Sequence, residues 1–574
     1  MPKILIKEID KTSAGTPGEY SNNSVLICGF SQRTNEEIIE ADPTIGYTLP
    51  DENGIFEFYT QDDFKKTIGQ VSPILSKNTC GLTHYGNQMA YELLGQGYPC
   101  VIYISLGSVP KTDIEIHNVL KTISGTDPNN TDIWEIFKDK ASYDFRFITH
   151  GLLNSCETHD TSEAKAAMDE AERDMGEPYT DWINAKEAET SAQALLDNAE
   201  EDEQALKNQE GYDAASEEAI AAKNAVAEAK TTLNKAKQSV TAAEKIYLPR
   251  LEAYNKAKEE YDALADAEFT TADFVAANEK IINLATYTQN EDYEAAFGTG
   301  RGDCVALIEV DETSYLNNSV ERPEAKILNA CSKMNKICTE VTGPYCACTV
   351  PSVVYKMTVD DEYEGNTKFP GAFHYLACYK RMIDANFAEW YAAAGYNRGI
   401  SSYTVDHTTV KLGEVAIQAL EPRYQRGAPY NYEMPWAVNV IANFRGSYYL
   451  WGNRTCNPLG TFDGGDDLTA QHFLNIRQLC TTIKKQLYVS CRRFTFDPNS
   501  DVLWINFKNS ITPTLERMKA DQGIKEYKIE KVYTDKKATL RARIRIVPIE
   551  AVEDFVLELS LEDSLGDVGV SITE

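Results

Sequence analysis

The densest group of cysteines is the first feature whose residue types could do chemistry. Cys331, Cys338, Cys346 and Cys348 belong to a set of 13 cysteines, an odd number. Thiolates can hold zinc, but zinc sites favour paired Cys-x-x-Cys or Cys/His ligands, and no histidine lies near this group. Buried or free thiols in a reducing cytoplasm are the favoured interpretation, and disulfides formed later in an oxidising medium stay open.

Other short motifs lack the residues that their chemistry needs. Arg301-Gly302-Asp303 spells an adhesion tripeptide but directly precedes a predicted buried strand. Residues 298–302 are glycine-rich but lack the Lys-Ser/Thr of a phosphate-binding loop. The seven histidines show no HExxH spacing, and there is no Gly-x-Ser-x-Gly elbow. We therefore predict no enzyme activity, no cofactor and no metal; the competing class is an α/β enzyme with a cysteine nucleophile.

The charge of the chain argues against some classes of partner. Its 574 residues carry a formal net charge of −32, and such a surface repels nucleic acid. Residues 161–270 hold 26 Asp and Glu against 12 Lys and Arg, whereas 477–545 is rich in Lys and Arg. There is no apolar run of 18 or more residues and no signal-peptide pattern, so we expect no membrane span and synthesis in a cytoplasm.

The N-terminal part alternates between strand and helix patterns, which favours an α/β layer. Residues 3–10 have strand character and 11–23 form a polar linker, so we predict a strand on a flexible arm. An Asp at the start of the first helix is expected to cap it. The strands and helices expected after the arm fall at 24–30, 62–69, 88–95, 100–104 and 145–149.

An Ala/Glu/Lys-rich stretch without strand signal interrupts this alternation. Gly176-Glu177-Pro178, Gly211 and Leu248-Pro249 are expected to break it. We predict two helices, roughly 180–209 and 213–247, in an antiparallel hairpin about 45 Å long. Its stripe of small alanine side chains allows the two helices to approach closely, but the stripe is too rich in alanine for a strong leucine-type coiled coil.

The alternation of helix and strand resumes after the hairpin. A helix is predicted at 384–394, ended by Gly395. The other predicted elements are a helix at 274–286 and strands at 304–308, 347–354 and 436–441.

The last part of the chain reads as two helices followed by two strands. Asp466 or Asp467 is expected to cap the first helix, and Thr512-Pro513 to open the second, which closes at Gly523. Residues 541–547 and 555–561 alternate as in half-buried antiparallel strands. The apolar stripe of the first helix consists of Leu468, Phe473, Ile476, Cys480, Ile483 and Leu487.

A series of motifs in a shared order resembles the tail sheath family of contractile bacteriophages and related injection machines. The most specific single match is Trp451-Gly452-Asn453-Arg454-Thr455. The resemblance covers most of the chain, and the inserted hairpin is its main departure from the family. The other matching segments, in order, are 25–30, 63–69, 94–104, 303–308, 351–352 and 393–399.

The element pattern and the resemblance together imply an α/β (α+β) multidomain protein. It would have a C-terminal sheath domain, α/β middle domains and an inserted antiparallel α-helical hairpin. The predicted division is an N-terminal strand-exchange arm and linker (1–23), a first part of the α/β sheath domain (24–156), the inserted hairpin (157–268), the continued α/β sheath domain (269–400), the C-terminal sheath domain (401–563) and a C-terminal arm (564–574).

The resemblance implies a structural subunit that polymerises as six-fold helical rings around an inner tail tube. The rings would contract and drive the tube through the host envelope for genome delivery. The implied partners are other copies of the chain, the inner tail tube protein, and the baseplate and tail terminator proteins, with no direct nucleic acid and no membrane insertion. The implied location is the tail sheath of a virion assembled in the host bacterial cytoplasm. A bacterial contractile injection system, of bacteriocin or type VI-like kind, is the alternative.

The resemblance also implies two kinds of contact surface. One faces the tube, where weak, screened contacts suit a grip that must release. It would consist of Arg477, Lys484, Lys485, Arg492 and Arg493, with an ordinary solvated face as the alternative. The other is strand exchange, in which an arm adds to a neighbour's open sheet edge. The residues expected to exchange are Ile4, Leu5, Ile6, Phe555, Leu557, Leu559, Leu561, Val568, Val570 and Ile572.

Overall fold

The computed structural model shows a mixed α/β fold. It describes residues 23–32, 37–38, 46–48, 54–69, 85–109, 113–124, 133–155, 162–267, 269–287, 300–316, 322–337, 343–359, 363–420, 437–457, 469–533 and 539–551.

A large mixed sheet forms the centre of the molecule. The strands are β1 (Val25–Ser31), β2 (Gly46–Thr48), β3 (Gly54–Phe58), β4 (Val101–Ser108), β5 (Phe147–Thr149), β6 (Val305–Ile308), β7 (Cys346–Val350), β8 (Val353–Val359), β9 (Tyr363–Phe369), β10 (Val405–Thr408), β11 (Asn439–Phe444), β12 (Ser447–Trp451), β13 (Ile524–Val532) and β14 (Arg541–Pro548). Nine of them form one sheet in the order β12-β11-β7-β6-β5-β1-β4-β3-β2. The six from β11 to β4 run parallel, and β12, β3 and β2 add antiparallel strands at the edges.

Helices connect the strands and cover the sheet. They are α1 (Gln61–Thr67), α2 (Tyr85–Gly95), α3 (Asp113–Ser124), α4 (Ser162–Lys207), α5 (Glu217–Ala267), α6 (Thr271–Ala285), α7 (Glu312–Leu316), α8 (Pro323–Ile337), α9 (Gly371–Asp384), α10 (Gly395–Arg398), α11 (Glu414–Leu420), α12 (Leu474–Arg493) and α13 (Asp501–Ala520). Thr60, not the predicted Asp, caps α1, because its side chain accepts a hydrogen bond from Asp63 N. No helix in these ranges is long and apolar enough to cross a membrane.

Side chains of the parallel strands alternate between two apolar layers. Val25 and Ile27 of β1 belong to a cluster with side chains of α2 and α9. Leu26 and Cys28 belong to another cluster, with side chains of α3, α6, α8 and α11. Both faces of the sheet are therefore covered, which explains the near-continuous apolar runs of its strands. The strands predicted at 24–30, 100–104 and 304–308 are confirmed as β1, β4 and β6.

The antiparallel hairpin is confirmed, but its helices are longer than predicted. It lies in the crossover between β5 and β6, which are parallel neighbours. α4 has 46 residues and continues through Pro178, and α5 has 51 residues and continues through Pro249. The predicted breaks at these prolines are wrong, and α4 spans about 69 Å rather than 45 Å. Helix-to-helix packing on both sides of each proline outweighs its penalty of about 3 kcal/mol.

The last helix also continues through a proline that was expected to begin it. α13 starts after Ser500, whose side chain accepts a hydrogen bond from Leu503 N, and Pro513 lies inside it. Leu503, Phe507, Ile511 and Leu515 are buried on one face across the proline, so packing again decides the boundary. Of the strands that follow, β14 was predicted and β13 was not, and residues 555–561 lie outside the described residues.

A helix predicted at 384–394 is wrong. α9 covers Gly371–Asp384 and ends where that helix was expected to begin. The chain then turns through Asn386, which has a φ of 62°. Trp390 is buried in the apolar cluster of α12 and α13, so the apolar residues of this segment anchor an irregular connection and not a helix face.

The position of β11 and β12 bears on the predicted domains. Both strands fall within the expected C-terminal domain, yet β11 pairs with β7 in the same sheet as β1. The domain boundaries stay a prediction.

The contact between α2 and β1 generates a prediction about stability. A Cβ on Gly86 would lie 1.9 Å from the carbonyl oxygen of Cys28. We expect Gly86→Ala to lower the free energy of unfolding by about 3 kcal/mol, because backbone would have to move. Chemical denaturation followed by near-UV circular dichroism measures this. In the matched control, Gly176→Ala, the new Cβ meets nothing within 4 Å, and we expect a gain of about 1 kcal/mol. Equal effects of the two variants would contradict this packing.

Candidate assembly surfaces

The segment Trp451–Thr455 lies where the chain leaves the large sheet for α12. Asn439 of β11 holds it: Nδ2 donates to a β7 carbonyl at 3.1 Å and to Arg454 O at 2.9 Å. Asn439 Oδ1 accepts from Arg454 N at 2.7 Å. A Cβ on Gly452 would lie 2.8 Å from this oxygen, so glycine is required by close approach. The motif therefore fixes a backbone path.

The second half of the motif fixes the start of α12. Asn453 Nδ2 donates to Asn475 Oδ1 at 2.7 Å, and Asn475 N donates to Asn453 Oδ1 at 3.0 Å. Thr455 Oγ1 donates to a carbonyl of the short turn before α12 at 2.7 Å. The Arg454 guanidinium lies 4.6 Å from the centre of the Phe473 ring. Since Asn453, Arg454 and Thr455 are buried, the motif is an internal joint and not a contact surface.

A buried arginine joins α12 to the sheet. Arg146, directly before β5, is fully buried. Its Nη2 donates to Glu389 Oε2 and Thr482 Oγ1, both at 2.8 Å, and its Nη1 donates to Gln478 Oε1 at 3.0 Å. Thr482 also donates to the Glu389 carboxylate. A buried charge that loses its partner is costly, so this network holds α12, β5 and the segment after α9 in one arrangement.

A second buried cation, Lys485, lies on α12 itself, one helical turn after Thr482. Lys485 is 3% exposed and pairs with Asp144. Its Nζ donates to Phe145 O at 2.9 Å and lies 4.0 Å from Asp303 Oδ2. Asp303 in turn accepts from Arg301 Nε at 3.0 Å. The adhesion-like tripeptide is therefore internal and part of the support for α12.

Burial corrects the expectation that Arg477 and Lys485 lie on an exposed basic face. Arg477 is 6% exposed, and its guanidinium lies 4.2 Å from the centre of the Tyr345 ring. Lys484 is half-buried and donates to the Tyr345 hydroxyl at 2.9 Å. The polar side of α12 is therefore partly covered as well as its apolar side: acids lie beside Lys485, and the Tyr345 ring lies beside Arg477 and Lys484. Neither Arg477 nor Lys485 is accessible to another protein in this arrangement.

The end of α12 and the start of α13 are exposed together, and we call Arg492, Arg493, Phe496, Val502 and Ile505 the α12–α13 tip. Both arginines are exposed, and Phe496 is fully exposed with a φ of 76°. Few non-glycine residues adopt this backbone conformation. Val502 and Ile505 are 65% and 53% exposed. Apolar side chains beside arginines are typical of contact surfaces. The predicted tube-facing role of Arg492 and Arg493 stays a prediction.

The antiparallel pair β13–β14 forms a two-stranded ribbon that packs against α12 and α13. Tyr527 pairs with Ile546 and Ile529 with Ile544, and all four pack against a small core that includes Trp390. The other face carries charged residues of both signs. In the part of the chain that the structure describes, no third strand pairs with either edge of the ribbon. A sheet edge without a neighbour is a template for another strand.

The residues predicted to exchange strands lie outside the described residues. They are Ile4, Leu5, Ile6, Phe555, Leu557, Leu559, Leu561, Val568, Val570 and Ile572.

The described cysteines are mostly buried thiols, and Cys456 joins Cys331, Cys346 and Cys348 in one apolar cluster. Burial raises the pKa of Cys331 to about 12, which makes this thiol a poor nucleophile at neutral pH. Cys338 lies outside the described residues. Among the residues with described positions, no group of three His, Cys, Asp or Glu could hold a metal ion.

A buried acid that the sequence patterns did not indicate lies at the carboxyl end of β6. Glu309 accepts a hydrogen bond from Asn154 Nδ2 at 3.0 Å through one oxygen, and its other oxygen makes none. Burial raises its pKa to about 7; the Asn154 hydrogen bond opposes this shift, and the nearby Glu312 charge adds to it.

Sequence reasoning also missed Arg146 and Glu389. The signal for Arg146 is one charged residue inside the apolar run 145–149. Glu389 offers no local signal, because its partner is 243 residues away in the sequence.

Comparisons with known proteins find similar solved structures only. No protein-family model and no curated protein matches the chain. A cryo-EM structure of the anti-feeding prophage baseplate, with six-fold symmetry, contains a chain that is similar over 98% of this chain and 99% of its own length, with 10% identity and a TM-score of 0.45. A chain of the PVC sheath complex, an extracellular contractile injection system in its contracted state, is similar over 50% of this chain and 68% of its own length, with 13% identity and a TM-score of 0.35. Neither similarity assigns a role to a residue of this chain.

The Arg146 network predicts a large effect of a small change. We expect Glu389→Gln to lower the free energy of unfolding by about 3 kcal/mol, because it leaves the buried guanidinium without a countercharge. Denaturant unfolding measures this. Glu135→Gln is the control, because the Glu135–Lys138 pair is exposed and should contribute little. Equal losses in both variants would contradict the assigned role.

The Glu309 carboxyl predicts a pH-dependent stability. Its pKa of about 7 in the folded chain lies above its ordinary value of 4.5, so ionisation destabilises the fold as pH rises through 7. We expect Glu309→Gln to raise the free energy of unfolding by about 3 kcal/mol at pH 8 and to change it little at pH 4.5. The exposed Glu187→Gln should have no effect at either pH. A gain from Glu309→Gln that is the same at both pH values would contradict the assignment.

Proposed function

We propose that this chain is the structural subunit of a contractile sheath. In this proposal it polymerises as six-fold helical rings around an inner tube and contracts to drive the tube through a target envelope. It consumes no nucleotide and has no catalytic role. The energy for movement comes from the difference between two packings of the same subunits.

The observation that supports the proposal is the two-stranded ribbon β13–β14, which packs on α12 and α13, while buried ion pairs hold α12 against the large sheet. A two-stranded sheet alone is marginally stable, and a strand from another chain extends its main-chain pairing. The ribbon packs on α12 and α13, and α12 is tied to β5 by the Arg146 and Lys485 networks. A strand added to the ribbon would therefore transmit force to the large sheet.

The chain ends are the proposed donors of that strand. Residues 1–22 precede the described part of the chain, and 22 extended residues reach up to about 70 Å. Residues 552–574 follow β14 closely. Ile4, Leu5 and Ile6 on one arm, and Val568, Val570 and Ile572 on the other, are the apolar positions that would pack. Phe555, Leu557, Leu559 and Leu561 would widen the receiving sheet.

The α12–α13 tip is the proposed surface for the inner tube. Arg492 and Arg493 are the exposed members of the five basic residues that sequence analysis indicated. Exposed charge pairs are weak and screened by salt, so they suit a contact with an acidic tube that must release on contraction. The further partners in this proposal are the baseplate and terminator proteins that close the two ends of the polymer.

The setting that we propose is the tail of a phage assembled in a bacterial cytoplasm, where contraction delivers the genome. A bacterial injection device built on the same kind of sheath is the alternative. Neighbouring genes separate the two, because capsid and terminase genes accompany a phage.

The proposal predicts that strand exchange depends on the arms. We expect the full chain to form rings or hollow tubes under negative-stain microscopy. Deletion of residues 1–10 and 565–574 should abolish them, because the donor strands are gone. Leu5→Pro should weaken assembly by removing a main-chain donor, whereas Leu5→Val keeps the donor and favours a strand, and serves as the matched control. Normal polymerisation and shortening of the truncated chain would refute the proposal.

A further inference from the structure

The two helices of the hairpin pack through a regular seam. In α4 the partly or fully buried positions recur at alternating spacings of three and four residues from Ala164 to Leu206. In α5 the same spacing begins at Ala219. Many of these positions are alanine, and Leu196 and Leu233 lie in the shared core. The seam is therefore a heptad repeat with close helix approach.

Two prolines lie at the same height of this seam. Pro178 is partly buried at a seam position of α4, and Pro249 is exposed on α5; contacts from Arg250 to Asp174 and from Tyr247 to Tyr179 place them at one level. A proline has no N–H, so it leaves the carbonyl four residues earlier without its helical donor. These carbonyls belong to Asp174 and Lys245. Both helices thus lose one main-chain hydrogen bond at one level of the hairpin.

Arg250 replaces one of the lost hydrogen bonds from across the hairpin. Its Nη1 donates to Asp174 O, the carbonyl that Pro178 leaves, at 2.9 Å. The same nitrogen lies 3.9 Å from Asp174 Oδ2. A side chain of α5 therefore supplies the hydrogen bond that a carbonyl of α4 lacks, at the level of the two prolines.

The seam of α5 is interrupted at this level and nowhere else between 219 and 261. After Ala243 and Tyr247 the spacing predicts Arg250 as the next buried position, but Arg250 is exposed and Leu251 is partly buried instead. Regular positions resume at Tyr254 and continue to Tyr261. The helix is continuous and keeps the same register on both sides, so the seam departs from regularity only at Arg250 and Leu251.

Three aromatic side chains pack between the two helices on the side of the prolines that faces the hairpin tip. The Trp182 and Tyr247 rings stack with centres 5.2 Å apart, and Tyr179 lies 5.6 Å from Tyr247. Trp182 Nε1 donates to Glu244 Oε1 at 3.4 Å, and Lys186 Nζ lies 3.6 Å from the same carboxylate oxygen. The hairpin beyond this point is joined as one rod.

We propose that the proline layer, residues 174–178 of α4 and 248–251 of α5, is an elbow in the hairpin. The distal arm beyond it moves as a rod against the proximal stalk, while Arg250 keeps the layer closed without an intact helical ladder. The tip of the hairpin can then take several directions while each rod keeps its seam. This inference does not depend on the proposed function.

Hydrogen–deuterium exchange of the full chain tests the elbow. We expect main-chain amides at 175–182 and 246–253 to exchange at least ten times faster than those at 190–200 and 226–240, because bending at the proline layer would transiently open the neighbouring helical hydrogen bonds. The double variant Pro178→Ala/Pro249→Ala restores both donors and should remove this difference. The rates at 190–200 and 226–240 should stay unchanged. Since alanine favours the helix, far-UV circular dichroism is expected to confirm that the variant folds.

The contribution of Arg250 is tested separately. Arg250→Ala should raise exchange at 175–182 several-fold, whereas Arg250→Lys keeps a cationic donor and should raise it less. Uniform exchange along the wild-type hairpin would overturn the proposal. So would a proline layer that exchanges equally fast in the wild type and in the double alanine variant.

Discussion

The structure depends on the burial of charged side chains between α12 and the large sheet. Arg146 pairs with Glu389, and Lys485 pairs with Asp144, in places with little access to water. Removing one member of such a pair leaves the other charge buried without a partner, which is costly. They bring together parts of the chain that are far apart in sequence, and they fix where the helical unit sits.

This constraint explains the roles of the surrounding parts. The motif from Trp451 to Thr455 joins the strand β11 to the start of α12 through side-chain hydrogen bonds of Asn439 and Asn453. The ribbon β13–β14 then rests on a base that cannot rotate freely. In the proposed sheath, rigid bodies are joined at defined places. In that proposal α12 and α13 form part of a rigid body, and other chains attach at the ribbon edges and the α12–α13 tip.

Prolines show how packing overrides local preference in this molecule. Pro178, Pro249 and Pro513 all lie inside helices, although each removes a main-chain hydrogen bond. In every case apolar contacts continue on both sides of the proline. In the hairpin the cost is partly offset by Arg250, which donates to the carbonyl that Pro178 leaves. Sequence rules that end a helix at proline fail here because they contain no term for the neighbouring helix.

The sequence by itself determined the elements whose signals are local. Apolar runs such as 24–30 and 100–104 predicted buried strands, and the Ala/Glu/Lys-rich stretch predicted the hairpin, because periodicity and composition act over neighbouring residues. The internal position of Arg301-Gly302-Asp303 also followed from the strand after it. These signals covered the alternating α/β pattern and the existence of the helices in the last part of the chain, but not their ends.

Only the tertiary structure decided which charged residues are exposed. Arg477 and Lys485 were expected on a tube-facing surface together with Arg492, but the first two are buried and Arg492 is not. The difference comes from Asp144, Asp303 and Tyr345, which reach α12 from distant parts of the chain. Periodicity reports which side of a helix is apolar. It carries no information about what covers the other side, since the free energy of a buried charge depends on a partner that the local sequence does not contain.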